Sequence, residues 1–163
     1  MRGLTGLLIA AGLGLTGALC NWMYLDSLAT NDPNRFVSGI YIDPANSNHA
    51  WVSYTGFNAT TPTTPGHIFE VTYNAAAGTA TWTDISYDFG DIPANDVVRD
   101  GATGDVYVSS DFGVFKLASG STDWNLAAPG MPNVEVAGLT IVPGARRLYA
   151  ATHGLSAWLL NLP

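Results

Sequence analysis

Four acidic residues lie at the ends of apolar segments, where paired carboxylates could hydrolyse a glycosidic bond. Asp96 and Glu135 each follow a proline by three residues and precede an apolar segment, so we expect both near one rim of the fold. Retaining hydrolases hold their two carboxyl groups about 5–5.5 Å apart, and inverting ones about 6.5–9.5 Å apart. Asp96 and Glu135 are thus the catalytic candidates. We favour the other interpretation, in which these two acids, like Asp91 and Asp111, cap turns and solvate loops.

Basic and imidazole side chains supply the remaining candidates. Four residues are predicted to lie in loops and to face a ligand: Arg35, Asp91, Asp111 and His153. The spacing of the three histidines matches no metal-binding motif, so each is predicted to be solvated at a strand end, and neither metal nor cofactor is expected. Sialidase chemistry needs convergent arginines for a carboxylate, and the four arginines beyond residue 25 form no such pattern: Arg35, Arg99, Arg146 and Arg147.

The composition indicates a folded acidic domain and disfavours nucleic acid as a partner. Hydrophobic residues make up 47% of the 163 residues and charged residues 12%, which permits a packed core. The net charge is −7 with only six Lys and Arg residues, whereas phosphate binding needs clustered cations. Cys20 is the single cysteine, which excludes an internal disulfide and a multi-cysteine metal site.

The first 25 residues have the composition of an apolar helix, either a membrane anchor or a cleaved secretion signal. Gly3 to Leu25 contains no charged residue and is long enough to span a bilayer. Arg2 precedes it and two aspartates follow, so the rest of the chain is predicted to be extracytoplasmic. No small-x-small cleavage site is evident, which favours a membrane anchor over a cleaved signal, and Leu19 before Cys20 disfavours a lipoprotein. Residues 26–32 form a linker.

Beyond the linker, one twelve-residue frame occurs twice, as "PNRFVSGIYIDP" (33–44) and "PNVEVAGLTIVP" (132–143). A shorter version, "PANDVVRDG", occupies 93–101. Each frame is followed by an apolar strand with an aromatic residue in its middle (Trp51, Tyr107, Tyr149) and by a second strand with another (Phe69, Phe115, Trp158). Turn-forming Gly, Pro, Asp and Asn residues separate the strands.

This repeat predicts an all-β fold, a partial β-propeller of about three four-stranded antiparallel blades with the last incomplete. The blades are 33–86, 93–127 and 132–162, and the frame is the inner strand of a blade. An ordinary β-sandwich is the alternative. The tryptophans that recur at blade positions are predicted to lie in the core between blades: Trp51, Trp82, Trp124 and Trp158.

The segments "RFVSGIYIDPANSNHAWVSYTGF", "DIPANDVVRDGATGDVYVSSDFGVFKL" and "RRLYAATHGLSAWLL" resemble Asp-box repeat propellers, and most of all the C-terminal blades of sortilin-like and xyloglucanase-like proteins. The resemblance covers 33–163. The turns 74–82 and 118–124 keep the Gly and Trp of the Asp-box but lack its Asp at the expected place, which in that family is structural.

The resulting expectation is a non-catalytic extracytoplasmic interaction or scaffold module that contacts a protein or a glycan. The alternative is a fragment or subunit of a polysaccharide-acting glycoside hydrolase of xyloglucanase-like type. Fewer than four blades leave open sheet edges, which invite pairing with another chain. Self-association or a partner chain is therefore expected, with membrane contact through the N-terminal segment.

Overall fold

The structure, a computed structural model, describes residues 35–59 and 66–163. The predicted N-terminal helix and the linker lie outside these residues. Three antiparallel sheets contain all the described strands, which confirms the all-β prediction with units of four, four and three strands. A single turn of 3-10 helix, Pro143–Ala145, is the only helical element within the described ranges.

The sheets follow one another along the chain, and neighbours within each sheet are neighbours in sequence. Sheet 1 contains β1 (Val37–Asp43), β2 (Asn46–Tyr54), β3 (Ile68–Asn74) and β4 (Thr79–Asp84). Sheet 2 contains β5 (Ala94–Arg99), β6 (Val106–Ser110), β7 (Gly113–Leu117) and β8 (Trp124–Leu126). Sheet 3 contains β9 (Val136–Val142), β10 (Arg147–Thr152) and β11 (Ala157–Asn161). The first strands lie side by side, β1 against β5 and β5 against β9, an arrangement that fits part of a propeller.

Strand pairing places the matched aromatic residues at equivalent positions in the three sheets. The aromatic residue of each second strand pairs with the first strand on one side and the third strand on the other. The next residue along pairs with the aromatic residue of the third strand. The pairs are Trp51 with Tyr41 and Glu70, Tyr107 with Val98 and Lys116, Tyr149 with Thr140 and Leu159, then Val52 with Phe69, Val108 with Phe115, and Ala150 with Trp158.

Burial of these positions differs at the end of the series. Trp51 lies in a core shared by sheets 1 and 2, and Tyr107 in a core shared by sheets 2 and 3, with 3% and 1% of their surfaces exposed. Tyr149 is 38% exposed because no described sheet follows sheet 3. The prediction of tryptophans in the core between blades holds for Trp51 and Trp124. Trp82 is buried in a cluster of sheet 1 residues alone, and Trp158 is 37% exposed.

A β-bulge recurs near the start of every first strand, and in sheets 1 and 2 its side chain links the sheet to the next one. Register shifts displace Ser38, Asn95 and Ala137, which occupy equivalent positions. The hydroxyl of Ser38 donates to the carbonyl of Ala94 at 2.5 Å, and the amide of Asn95 donates to the carbonyl of Val136 at 3.3 Å. The bulge side chains of sheets 1 and 2 therefore each satisfy a backbone acceptor of the following sheet, whereas Ala137 has no polar group to do so.

Candidate functional site

The predicted site residues, apart from Asp96, collect at one rim of the molecule. In an antiparallel sheet, the segment before the first strand and the connection between the second and third strands lie at the same end. We call this end the upper rim; it comprises 35–36, 55–59, 66–67, 85–93, 111–112, 127–135 and 153–156. Arg35, Asp91, Asp111, Glu135 and His153 all belong to it.

Arg35, His67 and Asp91 form a polar cluster at the sheet 1 part of the upper rim. One guanidinium nitrogen of Arg35, Nη1, donates to the carbonyl of Gly56 at 3.2 Å and lies 3.1 Å from Nε2 of His67. The other terminal nitrogen, Nη2, donates to the side-chain oxygen of Asn58. An oxygen of Asp91 lies 3.3 Å from Nε2 of His67 and also accepts the backbone N–H of Asn58 at 2.7 Å. Arg35 and Asp91 are therefore bound within the protein.

His67 is buried, which makes the prediction of a solvated strand-end histidine wrong for this residue. Its side chain is 2% exposed, and Nδ1 lies 3.3 Å from the carbonyl of Tyr54. Burial lowers the pKa of His67, and the charge of Arg35 lowers it further, so the ring is neutral at pH 7. In that state one ring nitrogen donates and the other accepts: Nδ1 lies within hydrogen-bond distance of the Tyr54 carbonyl, and Nε2 within that distance of both Arg35 and Asp91. Burial likewise lowers the pKa of Arg35.

Asp111 and Asn95 connect the upper rim to the bulges. The side-chain amide of Asn95 donates to Oδ1 of Asp111 at 3.0 Å as well as to the carbonyl of Val136. Because the amide nitrogen carries two hydrogens, one bond can be made to each acceptor. Asp111 therefore orients the side chain that bridges sheets 2 and 3.

Glu135 and His153 pair at the sheet 3 part of the upper rim. Nδ1 of His153 lies 3.1 Å from Oε2 of Glu135, and its backbone N–H donates to the Glu135 carbonyl at 2.9 Å. The two side chains are 64% and 45% exposed. Both groups are therefore accessible to a ligand, and an exposed contact of this kind contributes little stability.

Asp96 lies inside β5, between the first strands of the other two sheets. Its Oδ1 accepts the N–H of Val97 and its Oδ2 accepts the N–H of Leu139, both at 2.8 Å. The side chain is flanked by Gly39 and Gly138, the residues at the equivalent place in β1 and β9. The structure thus gives Asp96 a role in joining sheets 2 and 3.

The upper rim also carries exposed apolar side chains that the sequence analysis missed. Phe36 is 83% exposed, and Phe57, Phe112 and Leu155 are 43%, 47% and 49% exposed. Each lies in a turn or in the segment before β1, adjacent to charged or polar residues. The available signal was a large apolar residue within a turn, because turns normally hold small and polar residues.

At the opposite rim, Asp100 and Arg146 form a bidentate ion pair between sheets 2 and 3. The two distances are 2.6 Å (Nη1 to Oδ1) and 2.7 Å (Nη2 to Oδ2). The hydrogen bonds from Arg146 lower the pKa of Asp100 to about 2. With a side chain that is 1% exposed, Asp100 is a structural anion.

Two cavities lie between the sheets. One of about 330 Å³ opens between sheets 2 and 3 and is lined mainly by apolar residues. Another of about 320 Å³ lies between sheets 1 and 2, beside the guanidinium of Arg99, which stacks over Trp51 at 5.0 Å. Across 35–59 and 66–163, no three side chains of His, Cys, Asp or Glu converge as metal ligands would. No helix of these residues has the length and hydropathy to cross a bilayer.

The three consecutive antiparallel sheets define an all-β repeat domain, and comparison with known proteins supports the fold alone. The chain is similar to the crystal structure of the extracellular domain of a hybrid two-component system from B. thetaiotaomicron, with a TM-score of 0.50 over 80% of this chain and 14% identity. The matched region makes up 16% of the length of that extracellular domain's chain. No family model and no curated protein matches the sequence.

Proposed function

We propose that the protein is a non-catalytic extracytoplasmic interaction module, a partial propeller of Asp-box-like type whose upper rim contacts a protein or a glycan. The observation that carries the proposal is the exposure of Phe36 and Phe112 on a rim that also holds the Glu135–His153 pair. Aromatic faces beside polar groups bind both saccharide rings and protein side chains.

The bonding of the two acids supports a non-catalytic role. Both carboxylate oxygens of Asp96 accept backbone N–H groups, one from Val97 in its own strand and one from Leu139 in sheet 3, so this acid serves as a link between sheets 2 and 3. Glu135 is accessible but pairs with His153. A glycosidase needs two such groups on either side of one bond.

Two independent features support an extracytoplasmic location. The sequence predicts a membrane anchor or signal before the domain, and charge distribution directs the following chain outward. The similar structure is described as an extracellular domain.

The test combines binding and turnover with the full chain in detergent. Labelled protein is applied to a glycan array and, separately, to extracellular protein fractions, with Phe36→Ser and Phe112→Ser as rim variants. Val142→Ser is the matched control, since Val142 is 41% exposed but lies at the opposite end of β9. We expect saturable binding that both rim variants weaken at least tenfold and the control leaves unchanged.

The enzyme alternative is tested in the same preparation. We expect no hydrolysis of β-glucan or xyloglucan oligosaccharides. Turnover that is abolished by Asp96→Asn or Glu135→Gln would overturn the proposal and establish a glycoside hydrolase. Binding that is indifferent to the two rim variants would show that the upper rim is not the contact surface.

A further inference from the structure

The cavity of about 320 Å³ between sheets 1 and 2 has the size and the lining of a site for a small molecule. Both sheets that enclose it have four described strands. Part of its wall is apolar, from Ile85, Val106 and Leu117, and part is charged, from Arg99 and Glu70. Ligand sites combine apolar walls with a few polar groups that orient the bound molecule, and their volumes begin at about 300 Å³.

Arg99 presents a positive charge to this cavity without a partner of its own. Its guanidinium lies 5.0 Å from the centre of the buried Trp51 ring. Stacking of this kind orients the guanidinium plane and leaves its N–H groups free to donate at the edge. Among the described residues, no carboxylate pairs with Arg99 and no acceptor takes its side-chain N–H groups. In the next interface, by contrast, Arg146 donates two hydrogen bonds to Asp100.

Gly104 keeps open the space in front of the Arg99 guanidinium. A Cβ at this glycine would lie 3.4 Å from Nη2 of Arg99 and 2.8 Å from Oγ of Ser119, so both polar atoms face the same space. The φ of +82° at Gly104 also disfavours any residue with a side chain. The hydroxyl groups of Ser121 and Thr122 belong to the same wall. A carboxylate here would accept hydrogen bonds from a planar guanidinium and from a neighbouring hydroxyl group.

Glu70 supplies the opposite charge and is held in place by a histidine. It pairs with Trp51 across β2 and β3, so the two side chains share one face of sheet 1. Its Oε1 lies 2.6 Å from Nε2 of His49, and Nδ1 of His49 lies 3.4 Å from Asp43. Within the described part of the chain, Oε2 of Glu70 has no hydrogen-bond partner, and Glu70 forms no ion pair with Arg99. A ligand therefore has room between the two charges.

The two charges select one class of small ligand. A simple anion at Arg99 would be repelled by Glu70, and a simple cation at Glu70 would be repelled by Arg99. A zwitterion complements both groups, and complementary charges are what gives a polar site its specificity. In an α-amino acid the carboxylate and the ammonium are attached to the same carbon, which suits a cavity of this size. An apolar side chain would then face the apolar wall.

We propose that this cavity binds a free α-amino acid with an apolar side chain. Arg99 and Ser119 donate hydrogen bonds to its carboxylate, and Glu70 accepts one from its ammonium. The proposal does not depend on the contact surface at the upper rim, because none of these three residues belongs to that rim. It is likewise independent of whatever covers sheet 3, because both walls belong to sheets 1 and 2.

Isothermal titration calorimetry of the full chain in detergent tests the two charge contacts. The probes are L-valine, L-leucine and L-phenylalanine, each beside its N-acetyl derivative, which lacks the ammonium, and its amide, which lacks the carboxylate. We expect saturable binding of at least one amino acid and at least about tenfold weaker binding of both its derivatives, since each loses a hydrogen-bonded charge. Absence of saturable binding of all three amino acids up to about 10 mM would overturn the proposal.

Two variants assign the contacts to particular residues. Arg99→Met retains an unbranched side chain over Trp51 without the charge, and Glu70→Gln retains an acceptor for His49. Each should raise the dissociation constant of the amino acid at least about tenfold. Arg99→Met should not weaken binding of the amide, and Glu70→Gln should not weaken binding of the N-acetyl derivative, because those ligands lack the group that the altered residue contacts. A variant that merely misfolds would weaken binding of all three forms alike.

Arg147→Met is the matched control, because Arg147 is an exposed arginine of β10 outside the cavity. It should leave the dissociation constant of the amino acid unchanged. Equal losses in Arg99→Met and Arg147→Met would show a general effect of charge and would eliminate Arg99 as the carboxylate contact. Equal affinities for the amino acid and its N-acetyl derivative would eliminate the contact between the ammonium and Glu70.

Discussion

Sheets 2 and 3 carry the same aromatic frame in the same register, but only sheet 2 is packed on both faces. Tyr107 is 1% exposed and Trp124 is 7% exposed, while Tyr149, the equivalent of Tyr107, is 38% exposed. The difference arises from the neighbours and not from the strands themselves. In a repeat fold, stability is largely a sum of interfaces between units, so equivalent residues can differ widely in what they contribute.

The largest expected difference concerns the two equivalent tyrosines. Tyr107→Ala removes a buried ring from the core shared by sheets 2 and 3, and we expect it to lower the free energy of unfolding by about 3–5 kcal/mol. Tyr149→Ala should lower it by about 1 kcal/mol or less in the monomer, because its ring is partly solvated. Urea unfolding followed by tryptophan fluorescence measures both. Equal losses at high dilution would show that the end face of sheet 3 is already packed.

Two equivalent glycines offer the next contrast. A Cβ at Gly39 would lie 2.5 Å from Oδ1 and 2.9 Å from Cα of Asp96, so the backbone of β5 must move. A Cβ at Gly138 would lie 3.7 Å from Oδ2 of Asp96, an ordinary contact. We expect Gly39→Ala to cost about 1–3 kcal/mol and Gly138→Ala less than about 0.5 kcal/mol by the same unfolding assay. The reverse order would contradict the placement of Asp96 between the first strands.

The junction of sheets 2 and 3 should depend on acid through Asp100. Its pKa is lowered to about 2 in the folded protein and is near 3.8 when unfolded, so the stabilising effect is present above pH 4 and is lost as the pH falls towards 2. Because Arg146 is 30% exposed, solvent screening limits the effect to about 1–2 kcal/mol.

Asp100→Asn should remove this part of the pH dependence of the unfolding free energy between pH 4 and pH 2. Asp123→Asn, on an exposed turn, serves as the control. An unchanged slope in Asp100→Asn would show that other carboxyl groups cause the acid sensitivity.

The smallest predicted effect concerns the bulges. Ser38→Ala deletes the hydrogen bond to the carbonyl of Ala94, which should cost about 1 kcal/mol. Ala137→Ser adds a hydroxyl at the equivalent place in sheet 3, where no described sheet offers an acceptor, and should change stability by less than about 0.5 kcal/mol. Thermal unfolding of the two variants side by side provides the measurement, and a stabilising Ala137→Ser would indicate a neighbour beyond sheet 3.

The strands were predictable from sequence because their signal is local. The positions of Trp51, Tyr107 and Tyr149 within apolar runs predicted the second strand of each sheet. In the structure, the residue after each of them pairs with the aromatic residue of the third strand, as the matched sequences predicted. A period-2 pattern between Gly- and Pro-containing turns is sufficient for such assignments. Rim residues followed from the same topology, since turn positions are determined once the strands are known.

The roles of particular side chains were not predictable because they depend on contacts between sheets. Asp96 was a catalytic candidate because it follows a proline by three residues and precedes an apolar segment. Its partners lie in other strands: the backbone N–H of Leu139 and the two flanking glycines. His67 starts a strand, where solvent was expected, and is instead covered by Arg35 and Phe89. Pairs such as Asp100 with Arg146, 46 residues apart, leave no local pattern.

The bulge hydrogen bonds all run from one sheet to the sheet that follows it in the chain. Ser38 donates a hydrogen bond to the second sheet and Asn95 donates one to the third. Ala137 has only a methyl group and cannot donate a hydrogen bond to a further sheet. Under a pulling force, the joints inside the chain would share the load through these bonds, while any joint formed after sheet 3 would have none. Any joint beyond sheet 3 would therefore lack this contribution to its strength.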